Sequence, residues 1–256
     1  MSPELLKAVA RLTGPSPVAA VNSSGIYDNL IVAIAVDENI VKAALPLGTS
    51  LLPDGQTPQG SHPVILTLGE QSNVRASNHP EVYDYHEAII GIPNVTVDGR
   101  GEGPVIYLPR LDLDNLTAVL VGLFLGLPKH LKSITTSATQ FTVATLITKS
   151  LLESAYWEPT SDVKTPADFP HFNHVAVLIQ QPLLGVDAVG GFIYTDFQWH
   201  LDQATLQGVR AQVNVPHRLP GLPAYNYTIP GFESQAFGAG RLRVAWNLSG
   251  PFFHRP

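Results

Sequence analysis

Val121-Gly122-Leu123-Phe124-Leu125-Gly126-Leu127-Pro128-Lys129-His130-Leu131 carries one lysine in an otherwise apolar run, and nothing in the local pattern calls for a charge there. An ordinary lysine has a pKa of about 10.4, so near pH 7 it is protonated and cannot attack a carbonyl carbon. Apolar neighbours disfavour the charged form and lower that pKa. This is the condition that a Schiff-base lysine needs. Pro128 biases Leu127 toward extended backbone, so a helix upstream ends just before Lys129 and a new segment begins at it. A side chain at such a junction can point into a cavity walled by Leu125, Leu127 and Leu131. It can equally snorkel to the surface from a partly buried helix end.

Working outward, Asp114 to Gly126 reads as a helix capped by Asp114 and delivered into the interior. Upstream of it, alternation in Tyr83-Asp84-Tyr85-His86-Glu87 places Tyr83, Tyr85 and Glu87 on one face and Asp84 and His86 on the other. Turned inward, Glu87 is a buried acid able to move protons; turned outward, it is a solvent-facing acid at a sheet rim. Ile26 to Val36 reads as a strand, followed by a helix capped by Asp37, carrying Ile40, Val41, Ala44 and Leu45, and stopped by Pro46. Leu47 to Pro63 reads as a Gly/Pro-rich loop. Short β-like runs then alternate with turn signals: Val64 to Leu68, Val82 to Ile92, Pro104 to Leu108, Phe141 to Ile147, His174 to Gln181, Ala188 to Leu201, Leu206 to Val215 and Arg241 to Leu248. Gly99 to Gly103 is expected to be a hairpin turn, Glu158 to Phe172 a surface loop, and Ser2 to Leu12 a short N-terminal helix. The pattern predicts an α+β fold, a mostly antiparallel β-sheet or barrel with a few helices, in one domain spanning residues 1–256.

Composition narrows the function classes. The 256 residues are 45% apolar and only 14% charged, against a usual charged share of about a quarter, so much of the surface is uncharged or covered by other subunits. A homo-oligomer is expected. The net charge of -6, with 15 scattered basic residues and no basic run, argues against nucleic acid and against an anionic membrane as partners. No cysteine is present, which excludes a disulfide, a thiolate nucleophile and a cysteine metal site. The first residues lack a signal-peptide pattern and the longest apolar runs are too short for a bilayer, so a cytoplasmic, soluble protein is expected. There is no Gly-x-Ser-x-Gly elbow, no His-Glu-x-x-His and no P-loop. His171 and His174 lack a third ligand nearby and are expected at the surface; no metal is expected. Trp157, Trp199, Trp246, Phe192, Tyr194 and Phe197 read as packing aromatics.

Gly126-Leu127-Pro128-Lys129-His130-Leu131 resembles the Gly-(aromatic)-Pro-Lys-Lys-Leu nucleophile motif of the acetoacetate decarboxylase superfamily. Tyr85-His86-Glu87 is similar to that family's Tyr-x-Glu segment, in the same order upstream of the lysine. Leu111-Asp112-Leu113-Asp114-Asn115 resembles the acidic stretch before its central helix, and Asp37 to Pro53 its short helix and following passage. The resemblance covers about Tyr27 to Leu131. It implies an acetoacetate decarboxylase-like fold and a cofactor-free lyase that decarboxylates a β-keto acid or related carbonyl compound through an iminium on Lys129. Glu87 matches an active-site carboxylate, and His130, Tyr85, Phe124 and Tyr27 are expected at the small-molecule substrate. A second family glutamate has no clear counterpart; Glu70 stands nearest.

Three departures have physical content. His130 replaces the second lysine of the motif, and its reference pKa near 6.5 leaves it mostly neutral at pH 7. Acetoacetate decarboxylase is the established example of a lysine activated by desolvation or a neighbouring cation, so desolvation carries more of the effect here. Apolar residues at 121–123 replace a Gly-Arg-Glu sequence, and Tyr27 stands where the family has an arginine, removing a bidentate carboxylate anchor. The same iminium serves aldol, dehydration or cyclisation chemistry, so a diverged enzyme of secondary metabolism is the alternative, as is a noncatalytic small-molecule binder.

Overall fold

The computed structural model describes residues 21–77, 79–98, 104–124, 126–186, 191–215 and 225–254. The N-terminal helix expected over Ser2 to Leu12 and the glycine turn at 99–103 lie outside them. The strands, in chain order, are β1 (Val21–Asp37), β2 (Thr49–Leu51), β3 (Ser61–Ala76), β4 (His79–Val97), β5 (Val105–Leu113), β6 (Lys129–Leu131), β7 (Ser133–Ser137), β8 (Gln140–Ala144), β9 (Leu151–Lys164), β10 (Leu183–Val186), β11 (Phe192–Trp199), β12 (Thr205–Val215), β13 (Tyr225–Ile229) and β14 (Ala239–His254). The helices are α1 (Glu38–Ala44), α2 (Leu116–Phe124) and α3 (Phe172–Ile179). The expected α+β architecture, mostly antiparallel, is the one observed.

Seven strands close on themselves in the order β1-β3-β4-β5-β10-β11-β14, with β14 returning to β1. Closure removes the unpaired edges that an open sheet would expose. β14 is the junction. One edge pairs with β1 from Val21↔Gly250 to Val32↔Ala239; the other is shared between β11, as at Trp199↔Trp246, and β12, as at Leu206↔Leu242. From β12 the sheet continues through β9, β8 and β7.

Period-two alternation sorts the side chains of β1, β3 and β4 between two cores. Leu30, Val32 and Ile34 join Leu66, Leu68, Ala88 and Ile90 in a layer packed against Phe141, Val143, Trp157, Val209 and Val213 of the outer sheet. The intervening residues Tyr27, Ile31, Ile65 and Tyr85 face the other way, with Ile106, Leu108 and Leu111 of β5. Both faces of these strands are buried, which is why their sequences read as nearly continuous apolar runs.

Several segments differ from expectation. The β-like run His174 to Gln181 instead lies in and just beyond helix α3, where Phe172, Val175, Leu178 and Ile179 recur at helical spacing and are all buried. His174, expected at the surface, is buried and bonded through Nε2 to Asp54 Oδ2 at 3.0 Å, tying α3 to the loop before β3. Glu158 to Phe172 is not a loop: β9 continues to Lys164, pairing there with β12 alone, so an outer edge tolerates Pro159. Leu47 to Pro63 contains β2 and the start of β3. Asp37 does cap α1, accepting a hydrogen bond from Asn39 N at 2.8 Å. For α2 the cap is Asn115 rather than Asp114: Asn115 Oδ1 accepts from Ala118 N at 3.1 Å, whereas Asp114 is engaged by His86. Among the described residues no helix is long and apolar enough to cross a membrane.

Gly69 marks a close approach between β1 and β3. It pairs with Asn29 on β1 and with Glu87 on β4, and a Cβ there would lie 2.2 Å from the Asp28 carbonyl oxygen and 2.5 Å from Asn29 Cα. Backbone cannot step aside as a side chain can. Gly69→Ala is therefore expected to cost about 2–3 kcal/mol, read as a lowered midpoint in urea unfolding; an unchanged midpoint would show that β1 and β3 separate freely.

Candidate active site

The end of α2 determines where the lysine goes. Gly126 adopts a left-handed φ of 69°, its N–H donates to Leu123 O at 3.1 Å, and Leu127 N donates to Gly122 O at 3.0 Å. These are the two hydrogen bonds of a glycine-terminated helix end, and Pro128 follows at once. The chain then enters β6, which runs parallel to β5 with Lys129 paired to Leu111. The two signals at Gly126 and Pro128 thus place Lys129 at the first position of a strand, beside the barrel.

Lys129 lines a cavity together with Tyr27 of β1, Thr67 and Gln71 of β3, Tyr85 and Glu87 of β4, and the aromatic residues Phe197, Trp199 and Trp246. The remaining walls are apolar, among them Ile65, Ile106, Leu108, Leu111 and Leu127; Ile179 of α3 also lines it. Its free space is about 90 Å³, on a scale where one water takes roughly 10–15 Å³, so a compact organic molecule can enter. Tyr27, Gln71 and Tyr85 are direct cross-strand neighbours on β1, β3 and β4, and Glu87 follows Tyr85 on the same face.

The Lys129 residue is half-buried, yet its amine is held inside: Nζ stands 5.8 Å from the centre of the Tyr85 ring. Among the described residues it has neither a hydrogen-bond nor an ion-pair partner. Burial pushes its pKa below the ordinary lysine value, and the Glu87 carboxylate opposes that shift. Glu87 is moved the other way. Burial raises its pKa, while Lys129, the Gln71 amide and the Tyr27 hydroxyl work against the rise. Both groups are therefore biased toward their neutral forms.

A fixed relay orients Glu87. The Trp246 indole can only donate, and its Nε1 bonds Gln71 Oε1 at 2.5 Å. This leaves Gln71 Nε2 to donate to Glu87 Oε1 at 2.6 Å. The Tyr27 hydroxyl lies near Glu87 and Thr67 but reaches full hydrogen-bond geometry with neither. Burial, reinforced by Glu87, holds the Tyr27 and Tyr85 phenols well above their usual pKa, so both stay protonated. A buried hydroxyl without a partner is costly, and a substrate oxygen in the cavity would satisfy Tyr27.

Four of the residues expected from sequence thus meet in one cavity: Lys129, Glu87, Tyr85 and Tyr27. His130 does not. It is exposed and off the cavity wall, because alternation in the short strand β6 turns it away from the direction of Lys129. The Phe124 side chain lies outside the described residues. Glu70 is exposed, on the opposite face of β3 from Gln71, the polar group that actually reaches the site. Trp199, Trp246 and Phe197 are more than packing, since all three line the cavity. Phe197 stacks on Trp246 at 5.0 Å, and Trp199 on Tyr27 at 5.8 Å. The sequence signals available were the i, i+2 aromatics on β11 and the odd-numbered series Ile65, Thr67, Gln71 on β3. His86, on the opposite face from Glu87, bonds Asp114 through its backbone N and its Nδ1, each at 2.8 Å, and the Asp114 bond raises its pKa.

No protein-family model matches the chain, and no curated protein sequence matches it significantly. Solved structures do. An acetoacetate decarboxylase-like enzyme from Sphingomonas wittichii RW1 superposes with a TM-score of 0.58 at 13% identity, covering 95% of this chain and 94% of that one. The chain has the acetoacetate decarboxylase-like fold. The acetoacetate decarboxylase of Legionella pneumophila gives 0.58 at 13% identity over 94% of this chain and 91% of its own. The enduracididine biosynthesis enzyme MppR, complexed with pyruvate, gives 0.55 at 12% identity over 94% and 92%. At such identities the acetoacetate decarboxylase-like likeness is one of fold, and the chemistry has to be argued from the cavity itself.

Two outcomes are expected. Gln71→Leu removes a donor that holds the Glu87 pKa down and strands the Trp246 N–H. The protonated Glu87 carbonyl stretch should then persist to higher pH in infrared difference spectra, with a stability loss of about 1–3 kcal/mol; an unaltered titration would show that the amide does not act on Glu87. Glu87→Gln removes the carboxylate that supports the ammonium form of Lys129, so the amine should lose its proton at lower pH. The rate of reductive methylation at Lys129 by formaldehyde, followed by peptide mass mapping, should rise at lower pH than in the unaltered protein. A shift in the opposite direction would mean that Glu87 does not face the amine.

Proposed function

We propose that the protein is an imine-forming carbon–carbon lyase with Lys129 as its nucleophile and Glu87 as its proton-transfer group. The observation that carries this reading is the Lys129 amine, without a partner among the described residues, in an apolar cavity and pushed toward neutrality by burial, with a carboxyl lining the same cavity. A surface lysine needs no such enclosure.

The reaction follows from these groups. Neutral Nζ attacks the ketone carbon of a β-keto acid, and the former carbonyl oxygen takes a proton to give a carbinolamine. Loss of water leaves an iminium. The bond to the carboxylate breaks, carbon dioxide departs, and the electron pair moves into the iminium to form an enamine. Protonated Glu87 delivers a proton to the enamine carbon, and water hydrolyses the resulting iminium to free Lys129 and the ketone. In this reading the Tyr27 hydroxyl, which lines the same cavity, hydrogen-bonds the substrate oxygen during carbinolamine formation. No metal or organic cofactor takes part in these steps.

One observation favours a second reading of the same imine chemistry. Among the described residues lining the cavity, the charge-bearing groups are Lys129 and Glu87, and the other walls are mainly aliphatic and aromatic. A substrate carboxylate would find there only the amine that must react, beside an acid. An uncharged β-hydroxy ketone or aldehyde suits that lining better. In its retro-aldol cleavage the Glu87 carboxylate takes the β-hydroxyl proton and the former hydroxyl carbon leaves as an aldehyde. The electron pair of the breaking carbon–carbon bond moves into the same iminium to give an enamine, which Glu87 then reprotonates. MppR, of the same fold, has been captured with a condensation product of pyruvate and imidazole 4-carboxaldehyde, which supports such carbon–carbon chemistry on this scaffold.

Borohydride trapping with β-keto acids, acylpyruvates and uncharged β-hydroxy ketones, read by intact mass and peptide mapping, tests both readings. The expected result is a substrate-dependent reduced adduct on Lys129 that is lost in Lys129→Ala. Carbon dioxide release identifies decarboxylation, and aldehyde release identifies aldol cleavage. A folded protein giving no adduct with any of these compounds would contradict imine chemistry and leave a small-molecule binder.

A further inference from the structure

Gly122 sits in the body of α2, facing inward and buried. Glycine is a poor choice for a helix interior, so its presence needs a local reason. A Cβ built on Gly122 would stand 2.0 Å from Lys129 Cδ, 2.3 Å from Cε and 2.8 Å from Cγ. Three successive methylenes of the lysine stem therefore lie across this one position. Real Cβ contacts do not fall below 3.0 Å, so any side chain at 122 and the observed lysine conformation exclude each other.

We propose that Gly122 is the positioning residue of the reactive amine: its bare backbone is the bed along which the Lys129 stem runs into the cavity. The functional part of this proposal rests on reading Lys129 as the imine-forming lysine; the steric part does not. Two consequences follow from the contact. The stem is covered by helix backbone on one side, which excludes water from the approach to Nζ and contributes to its desolvation. The stem is also the softest partner in the contact, since α2 is anchored by the Leu127 N to Gly122 O and Gly126 N to Leu123 O bonds at its end. An added methyl group displaces the lysine before it displaces the helix.

The test compares Gly122→Ala, Lys129→Ala and the double variant in the full-length protein. Gly122→Ala should fold while the borohydride trapping rate at Lys129 drops at least tenfold, and the acid limb of its pH profile should move to higher pH as the displaced amine regains solvent. In the Lys129→Ala background, where the three nearest atoms to a Cβ at 122 are gone, Gly122→Ala should raise the urea midpoint through its gain in helix propensity. If Gly122→Ala alone fails to fold, recovery of folding in the double variant assigns the clash to the lysine stem, and failure of both overturns the proposal. Trapping and pH profile within twofold of the unaltered protein would also overturn it. Should the unaltered protein trap nothing, the imine reading fails separately, and the urea comparison still decides: an equal midpoint change with and without the Lys129 side chain would refute the contact.

Discussion

An amine and a carboxyl share one apolar cavity, and burial drives both toward their neutral forms. That desolvation is the constraint on which the rest of the structure depends. For Lys129 and for Glu87 burial is the largest influence on the pKa, and their mutual attraction only moderates it. Taking two charges out of water costs more than an imperfectly partnered pair recovers. The barrel meets this constraint by closing seven strands around the site, with Ile179 of α3 in its wall and the aromatic residues of β11 and β14 completing the lining. Where a polar contact is made, it is aimed: Trp246 fixes Gln71, and Gln71 fixes Glu87.

Much of this was legible in local sequence because it obeys local rules. Alternation at residues 83–87 suffices to put Tyr85 and Glu87 on one face, since a strand has a period of two. Pro128 suffices to end the helix before Lys129, and Gly126 supplies the geometry of that ending. What the sequence hid is nonlocal or ambiguous. Gln71 enters the site through the register of β3 against β1 and β4, and Trp246 through that of β14 against β11. Neither register is written in a short window. The neighbouring Glu70 carries the more suggestive side chain but points outward. Helix α3 was hidden for another reason: a short run rich in valine, leucine and isoleucine satisfies strand and helix patterns alike. His130 shows the limit of position-by-position transfer, because one step along β6 separates a cavity wall from solvent.

The comparison with solved structures bears on architecture, and the cavity bears on chemistry. The acetoacetate decarboxylase-like fold brings β1, β3, β4 and β6 together around one space. In this chain that space holds Tyr27, whose hydroxyl lacks a partner among the described residues, the glutamine relay from Trp246, and mainly aliphatic and aromatic walls. The same enclosure that biases the amine toward its neutral form also limits what can enter beside it.

Burial in the cavity lowers the Lys129 pKa below the ordinary lysine value, against the pull of Glu87. The most direct test is a titration of the Lys129 Nζ resonance by nitrogen NMR, assigned with Lys129→Arg, in the protein without ligand. The account predicts a pKa clearly below the ordinary lysine value, rising toward that value when the protein is unfolded in urea. A folded-state pKa at or above about 10.4 would contradict it, because the amine would then be a solvated or salt-bridged ammonium rather than a desolvated one.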